Sequence, residues 1–185
     1  MSAAWEPARL RVIRVDDVPP QRWRNGGGWT RELLVAPDGG DWRVRVSVAD
    51  IESDGPFSSF PGVQRFFAVL QGAGVELTID GRAHRVQREN EALKFAGGAT
   101  TDCRLLAGPT RDLNLMVREA RGAMARVVPG EPWKPQAASC GLFAMAAGIC
   151  RSDDVSMAMT DFSLLWFERA PVSLTFESAG WWLAA

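Results

Sequence analysis

The sequence predicts an all-β protein, a sandwich or barrel of short strands, and three observations support this. Apolar and polar residues alternate in several short runs, which places the apolar side chains on one face of a strand. The 18 Gly and 11 Pro residues are spread along the chain and separate these runs as turns. Helical periodicity is scarce. Many short strands between regular turn signals are typical of a β-sandwich or barrel.

Composition limits the class of protein. The chain has 185 residues, 46% of them hydrophobic, which is enough for one domain or for two small halves that share a core. The 21 basic and 22 acidic residues nearly cancel, which argues against nucleic-acid binding. A single histidine, His84, is too few for a multi-histidine metal centre, so we expect no metal and no cofactor.

The sequence also predicts a cytoplasmic protein. Residues 1–7 lack a charged start followed by an apolar run, and no run approaches the length of a membrane-spanning helix, so neither a signal peptide nor membrane insertion is expected. Three cysteines, Cys103, Cys140 and Cys150, cannot all pair within one chain. We therefore expect them to be buried or free thiols in a reducing compartment.

The strongest strand signal is at residues 42–48, where four apolar side chains share one face and Arg43, Arg45 and Ser47 share the other. Other strand candidates are residues 30–35, 66–70, 103–106, 113–117, 142–146, 164–168 and 172–176. Residues 153–162 are predicted as a short helix or a loop.

A hairpin is predicted around Asp80-Gly81. Apolar and polar residues alternate over residues 75–79, and an Asp-Gly pair suits a type I′ turn, in which both central residues have positive φ. Residues 82–86 then return antiparallel, with His84 opposite Leu77. A lone histidine at such a position is predicted to be a partly buried structural residue.

Two glycine- and proline-rich segments stand out. Gly26–Gly28 follow Asn25 and form either an anion-binding nest of backbone N–H groups or a tight turn before the next strand. Residues 54–65 carry two prolines, two aromatic residues and, at the end, Arg65. This loop either shapes a pocket wall or turns a corner between sheets, and position alone favours a surface location for Arg65.

Two later segments complete the candidates. In residues 108–117, Asn114 and Met116 share one strand face, and an inward Asn must form hydrogen bonds to backbone or ligand. Trp181-Trp182 lie either at a protein interface or in the core of a second barrel, and we favour the core.

Several of these segments, in this order, resemble the HutD/Ves family and cover about residues 10–118. They are Trp23 to Glu32, Trp42-Arg43, Ser47 to Asp50, Asp54 to Gly62 with Arg65, and Asp112 to Met116. The last third of the chain is similar only in its strand-like, Trp-rich character. The resemblance implies a cupin-type β-barrel fold with two cupin-like halves (a bicupin). Residues 1–185 would form one domain, with an N-terminal half at 1–118 that carries the motifs and a smaller half at 119–185.

The resemblance also implies a non-enzymatic regulator that limits histidine utilisation by binding a small carboxylate such as formylglutamate or urocanate. Arginine, backbone N–H groups and asparagine suit such a ligand, and aromatic residues would supply apolar walls. The predicted ligand-binding residues are Trp23, Asn25, Gly26, Gly27, Thr30, Glu32, Arg43, Ser47, Phe57, Phe60, Arg65, Asn114 and Met116, with Arg45 as a further candidate. The expected partner is a small anionic metabolite, without nucleic acid or membrane, and a homodimer stays open.

Two alternatives remain. In the first alternative, the chain is a metal-independent isomerase or hydrolase of a small organic acid, with Glu32, Asp112 or His84 as general base. Or it acts through a protein partner, for which exposed tryptophans at Trp181-Trp182 would be the sign.

Overall fold

The computed structural model describes residues 10–118, 121–153 and 155–185, and in this part of the chain the regular structure is strand apart from one short 3₁₀ turn at Val15–Asp17. The strands are β1 (Leu10–Arg14), β2 (Gln21–Arg22), β3 (Gly28–Ala36), β4 (Val44–Ile51), β5 (Gly55–Pro56), β6 (Val63–Gln71), β7 (Val75–Ile79), β8 (Arg82–Val86), β9 (Leu93–Ala96), β10 (Thr101–Leu105), β11 (Thr110–Arg118), β12 (Ala123–Arg126), β13 (Cys140–Ala144), β14 (Gly148–Ser152), β15 (Ser156–Met159), β16 (Ser163–Phe167), β17 (Leu174–Phe176) and β18 (Gly180–Ala184). The all-β prediction is confirmed.

The strands form four antiparallel sheets. The six-stranded sheet has the order β2-β3-β4-β11-β6-β9, and the four-stranded sheet has the order β5-β10-β7-β8. The five-stranded sheet has the order β1-β16-β13-β18-β12, and the three-stranded sheet has the order β15-β14-β17. The apolar clusters show how these sheets stack.

Three apolar clusters hold the sheets together as layers. One cluster lies between the six- and four-stranded sheets and includes Phe67 and Leu77. A second lies between the five- and three-stranded sheets and includes Trp182 and Phe176. We call these pairs of sheets the N-terminal sandwich and the C-terminal sandwich. The third cluster joins the six-stranded to the five-stranded sheet, so the two sandwiches pack back to back.

A β-bulge in β3 controls which side chains face the N-terminal interior. Glu32 pairs with Ser47 and Leu34 pairs with Val46, which leaves Leu33 as the extra residue. Leu33 and Leu34 consequently both pack into the cluster between the sandwiches, although they are adjacent in sequence. The bulge thus leaves Glu32 on the face towards the four-stranded sheet, while Leu33 and Leu34 both pack on the opposite face, towards the C-terminal sandwich.

The predicted hairpin is confirmed, because Asp80 (φ 45°) and Gly81 (φ 81°) join β7 to β8. His84 pairs with Leu77 and is partly buried. The three cysteines are buried and free. Trp181 and Trp182 are almost wholly buried, so an exposed tryptophan interface is excluded at this position.

One local prediction is wrong. Residues 153–162, predicted as a short helix or loop, contain strand β15 at Ser156–Met159; Asp154 itself lies outside the described residues. Met159 is buried in the C-terminal sandwich and Met157 packs partly buried against the same cluster. This two-residue spacing of methionines is the strand signal in the segment.

The division at residue 118 stays a prediction. Strand β1 lies before this boundary but pairs with β16 in the five-stranded sheet, from Leu10↔Phe167 to Arg14↔Ser163. The first strand of the described residues therefore helps to build the C-terminal sandwich.

Candidate functional site

Rows of side chains cross the inner face of the six-stranded sheet, where it faces the four-stranded sheet. Strand register sets the members of each row side by side. The three rows are Thr30, Ala49, Asp112 and Val69; Glu32, Ser47, Asn114 and Phe67; and Arg45, Met116, Arg65 and Phe95.

Two small side chains of β4, Ser47 and Ala49, stand between the polar side chains of β3 and β11. Neighbouring strands lie about 4.8 Å apart, so about 10 Å separates β3 from β11 across Ser47 and Ala49. We call this part of the inner face the polar trough. Its floor is Ser47 and Ala49, and its walls and one end are formed by Thr30, Glu32, Asp112, Asn114, Arg45 and Arg65.

A chain of hydrogen bonds runs along the β11 wall of the trough. Arg65 donates from Nε (2.9 Å) and from Nη2 (2.7 Å) to Oδ1 of Asn114. Asn114 in turn donates from Nδ2 to Oδ1 of Asp112. All three side chains are buried, with Asp112 only 1% exposed. The prediction that an inward Asn114 must be hydrogen-bonded is confirmed.

Arg65 is buried and charged, contrary to the surface location that its position in sequence favoured. Its guanidinium stacks 4.5 Å from the ring centre of Phe57 and 5.5 Å from that of Phe95. Burial lowers the pKa of Arg65 to about 10, so it stays cationic at neutral pH. Since Asn114 takes Nε and Nη2, no hydrogen bond within the described chain uses Nη1.

Asp112 is the deepest polar group of the trough. Its Oδ2 is buried and has no hydrogen-bond partner among the described residues. Burial raises the pKa of Asp112 to about 8, although Arg65 and the Asn114 hydrogen bond act in the opposite direction. At neutral pH this carboxyl group is therefore mostly protonated.

An ion pair lies at the Arg45 end of the trough. Arg45 Nη2 lies 2.6 Å from Oε2 of Glu32, and both side chains are partly exposed. The Arg45 guanidinium lies 5.8 Å from the ring centre of Phe60, and its buried Nε has no partner among the described residues. Glu32 and Arg45 also line an open depression of about 510 Å³ at the free edge of β3.

The glycine turn forms a tight turn and not a free anion nest. The N–H of Gly26 donates to the carbonyl of Trp23 (3.0 Å), and the N–H of Gly27 donates to Oδ1 of Asn25 (3.0 Å). A Cβ on Gly28 would lie 2.3 Å from the carbonyl oxygen of Asp50, so this position has no room for a side chain. Both predicted anion-binding N–H groups therefore already have partners.

The structure gathers most of the predicted site residues around the trough. Trp23 donates from Nε1 to Oγ1 of Thr30 (2.7 Å) and packs edge-on against Phe57. Glycines 26 and 27, with Asn25, lie in the turn beside it. Arg43 is exposed and precedes β4, outside the trough. The ligand-binding role of all these residues stays a prediction.

Two residues outside the predicted binding set complete the trough, namely Arg45 and Asp112. The sequence offers Arg45 as a further arginine candidate and Asp112 only as a general base. The signal was present in the alternation of Asp112, Asn114 and Met116, which places all three on one strand face. Which other strands face them depends on long-range register, which local patterns do not contain.

Residues 10–118, 121–153 and 155–185, the described part of the chain, lack two kinds of feature. They contain no group of three or more His, Cys, Asp or Glu side chains placed to hold a metal ion. They also contain no helix that is long and apolar enough to cross a membrane.

Related proteins share both sequence and fold with this chain. It is 41% identical over 118 residues to an uncharacterized 21.2 kDa protein in the hutC 3′ region of Pseudomonas putida, covering 62% of this chain and 61% of that protein. It is 37% identical over 115 residues to protein Ves of Citrobacter koseri, covering 60% of each. The matched part thus spans about three fifths of the length of these two curated relatives.

Solved structures extend the likeness over nearly the whole chain. HutD from Pseudomonas fluorescens SBW25 is 27% identical and superposes with a TM-score of 0.85, covering 95% of this chain and 97% of that one. Salicylate 1,2-dioxygenase from Pseudoaminobacter salicylatoxidans is 10% identical with a TM-score of 0.61, covering 97% and 82%, which shows a common cupin-type fold alone. The model of the HutD family matches residues 15–184, and the chain therefore belongs to the HutD family.

Proposed function

We propose that this protein is a non-enzymatic regulator that binds a small carboxylate, such as formylglutamate or urocanate, in the polar trough and thereby limits histidine utilisation. Membership of the HutD family associates the chain with histidine utilisation. The ligand and the regulatory step are our proposal.

The observation that carries this proposal is the unfinished hydrogen bonding of Arg65. A buried guanidinium needs partners for its donors, and planar carboxylates accept two parallel N–H bonds from it. Asn114 takes one edge of the group, which leaves Nη1 and the second Nη2 proton for a ligand. Ser47 and Ala49 have the smallest side chains of the trough, and Trp23, Phe57 and Phe60 supply partly exposed apolar surface.

Calorimetry against formylglutamate, urocanate, glutamate and histidine tests the assignment. The trough variant Ser47→Leu fills the floor and is expected to weaken binding of the carboxylate at least about tenfold, because the added side chain occupies the ligand's space. Ser156→Leu, the same change on an exposed position of β15, is the matched control and is expected to bind normally. Absence of binding to all four compounds at millimolar concentration would reject the proposal, as would equal binding by the two variants.

A second candidate, a metal-independent isomerase or hydrolase, is favoured by one observation. Asp112 is a buried carboxyl group whose pKa of about 8 suits proton transfer near neutral pH. Of the other two base candidates, Glu32 is held by Arg45, and His84 lies on β8, outside the trough. NMR of each compound after long incubation tests this activity. Product formed by the native protein but not by Asp112→Asn would establish it.

A further inference from the structure

We infer that Asp112 binds the anionic group of the ligand as a neutral acid, so that the trough holds one proton together with its carboxylate. This inference rests on the proposed function, because it specifies how the same trough recognises its ligand. It assigns to Asp112 a direct donor role and to the trough a preference for groups that only accept hydrogen bonds.

The hydrogen-bond directions at Asp112 determine where its proton lies. Oδ1 accepts from Nδ2 of Asn114, so Oδ1 acts as the carbonyl oxygen of the acid. Oδ2 is buried without a partner among the described residues and is the oxygen left to carry the proton. A buried O–H without an acceptor costs free energy, and a ligand oxygen would remove that cost.

Two other donors come from the same inner face, from Arg45 and Arg65, which lie two rows from Asp112. Arg65 keeps Nη1, and Arg45 has a buried Nε without a partner among the described residues. Together with Oδ2–H, these groups form a set of donors from three strands, β4, β6 and β11. A carboxylate has about four acceptor sites and no donor, whereas an ammonium group has donors only. The donor set therefore selects a carboxylate and rejects an amine.

The charges around Asp112 show why the proton matters. An ionised Asp112 would neutralise Arg65 and repel an incoming carboxylate, whereas a neutral Asp112 leaves the guanidinium charge for the ligand. The bound carboxylate further favours the protonated form. The charged or titratable groups nearest to this site are Arg45 and Asp50 of β4, Arg65 of β6, Glu32 of β3, Cys103 of β10 and Asp54 of the loop before β5.

The neighbours of Asp112 whose pKa is shifted, namely Asp50, Arg65 and Cys103, do not titrate near neutral pH. Arg65 stays charged up to a pKa of about 10, and burial raises the pKa of Cys103 to about 12. Asp50 is held by Arg31 (2.8 Å) and Arg111 (2.6 Å). Glu32 is paired with Arg45. The pH dependence of carboxylate binding between neutral pH and Arg65 titration therefore reports the proton of Asp112.

Formate and formylglutamate are the probes for the test, because their carboxylates do not titrate near neutral pH. Calorimetry from about pH 6 to about pH 9.5, in two buffers of different ionisation enthalpy, measures both affinity and proton uptake. Affinity of the native protein is expected to be constant at low pH and to fall about tenfold per pH unit above about pH 8. Uptake is expected to rise towards one proton per ligand across the same range.

Asp112→Asn is the decisive variant, because its side-chain N–H₂ donates without titrating. It is expected to remove the fall in affinity between about pH 7 and pH 9, and any fall that persists at higher pH belongs to Arg65. Proton uptake by the native protein needs no variant, so the test stands even if Asp112→Asn does not fold. Binding without proton uptake above about pH 8 would overturn this inference alone. Failure of both probes to bind at every pH would reject the proposed function and this inference with it.

Discussion

The N-terminal and C-terminal sandwiches share a layered plan but have different interiors. Seven polar or charged side chains are buried in the described part of the chain, and the N-terminal sandwich contributes six of them: Ser47, Arg65, Thr101, Thr110, Asp112 and Asn114. The strands of the C-terminal sandwich contribute Ser163. Their interior is otherwise filled by Leu, Phe, Trp, Met, Ala, Val and Cys side chains.

This difference separates stability from recognition. Burying Arg65 and Asp112 costs free energy, whereas burying apolar side chains does not. These two groups therefore destabilise the N-terminal sandwich unless a ligand forms hydrogen bonds with them. The C-terminal sandwich has no such cost and buries large aromatic side chains instead, including the stacked pair Trp133 and Trp182, whose ring centres are 5.1 Å apart. Under the proposed function, the first sandwich binds and the second stabilises it.

Among substitutions compared at one pH, the largest effect on stability is expected in the C-terminal sandwich. Trp182→Ala removes a side chain that is 2% exposed and should lower the free energy of unfolding by about 3–5 kcal/mol, because a cavity remains in the core. Urea denaturation measures this loss. Val172→Ala, at a position 76% exposed, is the control and should change it by less than about 0.5 kcal/mol. A folded Trp182→Ala protein with weakened formate binding would contradict the separation of roles.

A smaller loss is expected at the glycine turn of the N-terminal sandwich. Gly28→Ala puts a Cβ 2.3 Å from the carbonyl oxygen of Asp50, so β3 and β4 must move apart at a cost of about 1–3 kcal/mol in unfolding free energy. Gly40→Ala is the matched control, because nothing lies within 4 Å of its Cβ. Thermal or urea unfolding of both variants measures the difference, and equal stabilities would contradict the tight packing at Gly28.

The pH dependence of the unfolding free energy distinguishes the polar interior of the N-terminal sandwich from the apolar interior of the C-terminal sandwich, and it needs no ligand. The folded pKa of Asp112, about 8, lies above its unfolded value of about 3.9, so the folded state keeps a proton that the unfolded state has lost. Its contribution is complete below about pH 4 and is lost as pH rises to about 8, with a slope of about 1.4 kcal/mol per pH unit.

Comparison with Asp112→Asn isolates this slope. The difference in unfolding free energy between the native protein and the variant should change steadily from about pH 5 to about pH 8 and then become constant. The buried thiols of the C-terminal sandwich, Cys140 and Cys150, have pKa values raised by burial to about 12 and add nothing in this range. Parallel curves for the two proteins would show that Asp112 is ionised in the fold.

The smallest effect is expected at the ion pair that joins β1 to β16. Arg11 lies 3.1 Å from Glu168, and both side chains are more than a third exposed. Arg11→Ala should therefore change the free energy of unfolding by less than about 0.5 kcal/mol and leave formate affinity unchanged. A loss above about 1 kcal/mol would mean that polar contacts also stabilise the C-terminal sandwich.

Sequence patterns predicted the fold where one face of a strand is polar. Strands β7 and β8 alternate and meet at Asp80-Gly81, so both their limits and their pairing were predictable. Strands buried on both faces were predicted less well: β13 and β16 with shifted limits, and β18 not at all. In β18, Trp181 packs between the sandwiches and Trp182 packs inside the C-terminal one. An apolar run of this kind has no alternation to detect.

The candidate site was predictable in its parts but not in its arrangement. Asn114, Met116 and Ser47 were assigned to strand faces that the structure confirms, and Arg65 was found from the loop before it. The Arg65–Asn114–Asp112 chain was not predictable, because Arg65 and Asn114 are 49 positions apart in sequence. Burial of Arg65 depends on Phe57 and Phe95 from two other segments, which no local pattern records.

The pairing of β1 with β16 sets the order in which the nascent chain can fold. Arg11 and its partner Glu168 are 157 positions apart, so β1 leaves the ribosome long before the strand it needs. At typical rates of synthesis the interval is on the order of ten seconds. During that time β1, with Val12 and Ile13, has no partner, because β16, the strand it pairs with in the five-stranded sheet, is still to be made. An unpaired strand of this kind is a binding site for chaperones and a starting point for aggregation until synthesis reaches residue 167.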